Sequence, residues 1–131
     1  MPTQVFHPTL RYRDAHAALS WLEKAFGFER KAVHEREGGA VEHVEMTFRG
    51  GMIMFGAERP DGDFAKIAPP IGTSSVYVVV DDPDALHDRV VAAGGDVVMG
   101  LSDQDYGSRD FAARDPEGNL WFFGTYDPWA A

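Results

Sequence analysis

The chain has few residues able to do chemistry. It contains no Cys, which excludes thiol nucleophiles, cysteine-held zinc and redox pairs. The remaining candidates are His7, the pair His43 and Glu45, the hydroxyls of Ser74 and Ser75, and Arg109 within Gly107-Ser-Arg-Asp-Phe111. A His on a strand near a carboxylate could ligate a divalent ion or act as general acid or base. Arg109 could anchor an anionic or carbonyl group, or form a structural ion pair with Asp103, Asp105 or Asp110. Ser74 and Ser75 lack a base in any recognisable pattern. No Gly-x-Ser-x-Gly elbow, phosphate loop or dinucleotide glycine fingerprint occurs.

The elements that must position these residues follow from periodicity. Val5 to Tyr12 reads as a strand, and Asp14 caps a helix running to Phe26 with an apolar stripe at Ala18, Leu19, Leu22, Ala25 and Phe26. Phe28 to Glu35, Val41 to Arg49 and Met52 to Gly56 follow as strands. In the middle one, His43, Glu45 and Thr47 face opposite to Val44, Met46 and Phe48. Residues 57–72 are rich in Pro, Gly and Asp and read as a connection. The order then repeats, with a strand over Ser75 to Val80 and a helix capped by Asp82 that ends at Gly94-Gly95. Strands over Asp96 to Met99, Arg109 to Arg114 and Leu120 to Tyr126 complete it. A constant offset of 68 pairs Asp14 with Asp82, Leu22 with Val90, Gly27 with Gly95, Phe55 with Phe123 and Gly56 with Gly124. The chain therefore reads as an internal duplication. Module one covers residues 1–57, the linker 58–72 and module two 73–131. A four-strand module with one covering helix leaves an open edge. The expected fold is α+β: two tandem βαβββ modules forming a curved eight-strand sheet around a cleft, helices outside.

Length and charge agree with one domain. The 131 residues suit a single core. Lys+Arg 12 against Asp+Glu 21 gives a net charge of −9, which argues against a nucleic-acid partner. The excess lies in the second half, where Asp81, Asp82 and Asp84 read as helix-start residues favoured by the helix dipole. Only Asp103, Asp105 and Asp110 fall near the expected cleft rim. The start has no apolar segment of a secretory signal, and the longest apolar run, Val76 to Val80, is strand-sized, so no membrane partner and a cytoplasmic location are expected.

The chain resembles the vicinal oxygen chelate superfamily, which holds glyoxalase I, fosfomycin- and bleomycin-resistance proteins and extradiol dioxygenases. The resemblance is carried by His7-Pro-Thr-Leu-Arg-Tyr-Arg-Asp14, by Ala25-Phe26-Gly27-Phe28 and by Asp115-Pro-Glu-Gly-Asn119 before an aromatic strand. Gly107 to Phe111 through Gly124-Thr-Tyr126 looks like the PhnB-like branch. In metal-using members the pattern implies ligands at four positions, here His7, Met54, Ser75 and Phe122. The offset carries His7 to Ser75 and Met54 to Phe122. Only His7 is a good donor, whereas a catalytic metal usually needs about three protein ligands. No cofactor is therefore expected, with a divalent metal as the lesser alternative. The resemblance also implies a homodimer.

Strand alternation assigns His7, Thr9, Glu45, Thr47, Met52, Met54, Ser75, Tyr77, Phe111 and Phe122 to the cleft face, with Tyr106 and Arg109 at its entrance. Such a lining suits an apolar or planar ligand held by a few hydrogen bonds, although Met52, Met54, Phe111 and Phe122 could simply fill the core. Two functions follow. One is a metal-free, antibiotic-like small-molecule binder, as in the drug-sequestering resistance members. The other is a lyase, isomerase or dioxygenase using His7. His7 could equally be a former ligand position now hydrogen-bonded to Glu45 or Thr9.

Overall fold

Asp14 and Asp82 start the two helices as their types require. The Asp14 side chain accepts from the Ala17 backbone N–H at 3.0 Å, and that of Asp82 from Ala85 at 3.1 Å. The computed structural model describes residues 4–59 and 62–130. It contains β1 (Thr9–Tyr12), α1 (Ala15–Phe26), β2 (Glu29–Glu35), β3 (Val41–Phe48), β4 (Gly51–Ala57), β5 (Ser75–Val79), α2 (Pro83–Ala92), β6 (Asp96–Asp103), β7 (Arg109–Arg114) and β8 (Leu120–Gly124). This is an α+β fold of two βαβββ modules. Residues 1–3, 60, 61 and 131, at the outer ends of the expected modules and within the expected linker, lie outside the described residues.

The eight strands divide into two four-stranded sheets, ordered β1-β4-β3-β2 and β5-β8-β7-β6. In each, the outer first strand pairs parallel with the last and the remaining pairs are antiparallel. Alternation sets which face is covered. Val44, Met46, Ile53 and Phe55 are buried toward α1, while Glu45, Thr47, Met52 and Met54 stay part-exposed on the open face. One hydrophobic cluster draws on both modules. Phe26, at the end of α1, meets Trp121 at 5.5 Å and Phe123 at 4.7 Å, and full burial of such a side chain contributes about 1.5–3 kcal/mol. Gly27 ends α1 with φ 76°, a conformation a side chain would disfavour.

The 68-residue offset is visible in the ladders. Thr9 pairs with Met54 in module one, and their counterparts Tyr77 and Phe122 pair in module two. Contacts between modules are reciprocal. Glu117, in the turn before β8, accepts from the Arg13 and Asp14 backbones at 2.6 and 2.9 Å and lies 3.9 Å from the Arg13 guanidinium. Arg49, in the turn before β4, donates to the Val79 carbonyl at 2.5 Å and to Asp81 at 2.9 Å. The offset maps Arg13 onto Asp81 and Arg49 onto Glu117, so the two pairs are equivalent with their charges exchanged. Beside them the buried Asp115 accepts from the Tyr12 hydroxyl at 2.6 Å, the Asn119 amide at 3.0 Å and the Trp121 indole at 3.1 Å.

Three strand boundaries differ from the sequence reading by more than one residue. β1 begins at Thr9, not Val5, because Pro8 has no N–H to enter a ladder. Its carbonyl still accepts from Met54 at 3.0 Å. β6 runs on to Asp103 through two register shifts. β8 stops at Gly124, since the Tyr126 N–H turns to the Ser108 hydroxyl at 3.1 Å.

Candidate functional site

The open face of sheet one is a row across three strands. Thr9, Met54 and Glu45 are direct neighbours, with Met52 beside Thr47 one step along. His7 is exposed, two residues ahead of β1. Glu45 does not serve His7, contrary to one expectation. His43 Nε2 lies 3.0 Å from its carboxylate and Lys31 Nζ 3.7 Å. The His43 hydrogen bond, followed by the Lys31 charge, holds Glu45 below the usual carboxylate range. These closer donors belong to the same sheet, whereas His7 is separated from Glu45 by the strand carrying Met54.

On sheet two, Tyr77, Phe122 and Ala112 form the equivalent row, with Ser75 beside Leu120. Phe111 is not on this face. It is 0 % exposed, stacks on Phe123 at 5.2 Å and meets His87 of α2 edge-on at 5.4 Å. The reason is turn length. Module one joins its last two strands through Arg49-Gly50, module two through Asp115 to Asn119. The longer turn shifts β7 by one residue against the offset, and a one-residue shift exchanges the faces of a strand. Arg109 moves with Phe111 to the covered side. Its guanidinium holds Asp84 of α2 at 2.7 Å and Asp103 at 3.2 Å. It is thus occupied by an ion pair that includes Asp84, a partner the sequence reading did not name. The same hydrogen bonds keep Asp84 below its ordinary pKa.

The one-residue shift places Asp110 on the open face instead. Its carboxylate accepts from the Ser108 hydroxyl and from the Tyr106 hydroxyl at 3.3 Å. Tyr77 donates to the Tyr126 carbonyl at 2.9 Å, and the Tyr106 and Tyr126 rings stand edge to face at 5.6 Å. Gly124, opposite Asp110, leaves the space, because a Cβ there would collide with the Asp110 carboxylate and lie 2.7 Å from the Tyr77 hydroxyl.

Residues 4–123 match the family model for the Glyoxalase/Bleomycin resistance protein/Dioxygenase superfamily. The chain belongs to this superfamily. An uncharacterised protein of Mycobacterium bovis is 30% identical over 121 residues, covering 89% of this chain and 80% of the relative. TioX from Micromonospora sp. ML1 is a solved structure with 31% identity and TM-score 0.76, covering 92% of this chain and 98% of that one. A lactoylglutathione lyase from Agrobacterium tumefaciens shares the fold at 22% identity and TM-score 0.71, over 95% of this chain and 94% of that one.

A divalent metal of the kind some superfamily members use does not fit the donors present. The ladder puts Met54 and Phe122 at equivalent mid-sheet positions. A thioether is too soft for the hard divalent ions, and a phenyl ring cannot coordinate. Among the described residues no group of three or more His, Asp or Glu is placed to hold an ion.

Sequence reasoning named Asp110 only as a rim acid and Arg109 partner, and it missed the Ser108–Asp110 contact. The signal was present in the unequal lengths of the two turns. It also missed that the linker folds back. Phe64 to Lys66 forms a short helical turn, Arg11 donates to the Pro69 carbonyl at 2.9 Å, and its guanidinium lies 5.9 Å from the Phe64 ring centre. Arg11, Phe64 and Pro69, with Thr9, Ser74 and Asn119, line a partly open pocket of about 80 Å³.

Proposed function

We propose that this superfamily member is a metal-free protein that binds a small, apolar or planar, antibiotic-like molecule, and that it works as a cytoplasmic homodimer. The observation that carries the reading is the make-up of the two open sheet faces. Met52 and Met54 hold the middle of one, Tyr77 and Phe122 the middle of the other, and Met54 and Phe122 stand at repeat-equivalent positions. Thioethers adapt to irregular apolar shapes, and aromatic faces stack on planar rings. The superfamily's own name includes bleomycin resistance proteins, which supports an antibiotic-like ligand. The pocket near Arg11 is far below the roughly 300–1,000 Å³ of drug-sized sites, so it is too small for such a ligand. A second copy would cover the exposed Val5 and Phe6 and the unpaired edges of β1 and β5.

A thermal-shift screen of planar aromatic antibiotics on untagged protein tests the reading. A ligand at 100 times its Kd adds about 2.7 kcal/mol of stability, and that gain is lost in Phe122→Glu and Met54→Glu. A screen in which nothing raises Tm overturns it. Stoichiometric Zn, Mn, Ni or Fe in protein purified without a His-tag, lost in His7→Ala, overturns the metal-free part and favours an enzyme. Sedimentation as a monomer at micromolar concentration overturns the dimer.

A further inference from the structure

We infer that Asp110 and the tyrosines around it receive a protonated amino group of the bound molecule. The inference rests on the small-molecule reading above and adds the ligand's charge and the place where it docks.

Asp110 is 7 % exposed. A carboxylate so far from water is normally matched by a cation. Its neighbour Arg109 is turned to the other face and bound to Asp84 and Asp103, and no ion pair reaches Asp110 among the described residues. Its donors are neutral hydroxyls, from Ser108 and Tyr106. An ionised carboxylate offers about four acceptor sites, so two remain. Ser108 is itself held by the Tyr126 N–H, which fixes the carboxylate from behind.

The surroundings suit an ammonium group. Tyr106, Tyr126 and Tyr77 present partly exposed rings next to the carboxylate, and aromatic faces attract cations. Partial burial raises the Tyr77 phenol above its ordinary pKa, and the Asp110 charge adds to this, so the ring stays neutral and its hydroxyl keeps donating. Gly124 lets Tyr77 and Asp110 share one spot. An N–H donor can fill the two free acceptor sites of Asp110, and the wall of rings meets the apolar carbons attached to it. A primary or secondary amine on an aromatic or alkyl skeleton is the chemistry that fits.

The test is an NMR titration of the ¹⁵N-labelled protein with 2-phenylethylammonium and with its neutral counterpart 2-phenylethanol. The amine should shift amides in residues 106–110 and 124–126 and bind at least about tenfold more tightly than the alcohol, a difference typical of one charge-assisted hydrogen bond. Asp110→Asn should remove that preference. If Asp110→Asn fails to fold, the exposed Tyr106→Ala should still lower amine affinity severalfold with the spectrum otherwise intact. Equal affinities for the two probes, or amine shifts centred elsewhere, overturn the inference while leaving the small-molecule reading standing. Binding of neither probe overturns the inference. Only the additional failure of the whole aromatic panel overturns the reading beneath it.

Discussion

Replacing Tyr12 with Phe removes one oxygen from the junction of the two modules and little else. The Tyr12 side chain is 0 % exposed, and its ring meets Phe55 edge-on at 5.0 Å, a contact Phe retains. The lost group is a hydroxyl 2.6 Å from the Asp115 carboxylate. A hydrogen bond to a charged acceptor contributes about 1.5–3 kcal/mol. Asp115 keeps its Asn119 and Trp121 donors, so a cost of about 2 kcal/mol is expected. At this chain length that lowers Tm by roughly 6–10 °C. Urea unfolding followed by tryptophan fluorescence should show the midpoint fall with an unchanged m-value. The pH dependence gives a second reading. Burial, then the Asp115 charge, holds the Tyr12 phenol well above its ordinary value. A raised folded-state pKa means that this contribution is complete below pH about 10 and is lost as the pH rises beyond it, at about 1.4 kcal/mol per pH unit, because the unfolded chain then releases a proton the folded chain keeps. Tyr12→Phe should therefore decline less steeply in alkali than the wild type. A cost under about 0.5 kcal/mol at pH 7 together with parallel alkaline slopes would refute the reasoning.

Three other outcomes are expected. Phe111→Ala should cost about 3–5 kcal/mol in urea unfolding, and Phe122→Ala less than about 1 kcal/mol, because only the first leaves a core cavity. Similar costs would contradict the face assignment of β7. Arg109→Ala should let the Asp84 carboxyl rise toward its ordinary pKa, since Arg109 is the chief cause of its lowering. An unmoved NMR titration curve for Asp84 would break that link. Phe122→Glu restores an acidic group but should not create tight Zn, Mn or Ni binding by calorimetry while Met54 and Ser75 remain, and a submicromolar Kd would show that fewer donors suffice.

The order of elements could be read from the chain because the signals were local. Asp14 and Asp82 cap their helices as their types suggest, and Val44 and Met46 alternate with Glu45 and Thr47 on a strand that keeps one register against β4. The face of β7 could not be carried over in the same way. Phe111 and Phe122 are both aromatic at plausible cleft positions, and which of them is covered depends on the length of the turn between their strands. The Arg109–Asp84 pair joins residues 25 apart on different elements, a separation that local spacing does not encode, whereas Asp103, Asp105 and Asp110 all lie within six residues of Arg109. Arg11 and Phe64 came together through a linker whose composition said only that it turned.

The charge-exchanged contacts between the modules act as a sorting rule. Arg13 meets Glu117, and Arg49 meets Asp81. Two copies of module one set face to face in the same manner would bring Arg13 against Arg49. Two copies of module two would bring Asp81 against Glu117. Each like pairing sets same-sign charges opposite one another, and only the unlike pairing is neutral. An exposed pair such as Arg49–Asp81 is worth less than about 1 kcal/mol, yet replacing a partner by its own kind reverses both pairs at once. A duplicated gene begins with interchangeable halves, and these four residues give the two halves opposite signs at their contact. The rule is indifferent to which polypeptide supplies each half, so an exchange of modules between two copies of the chain would leave every sign unchanged.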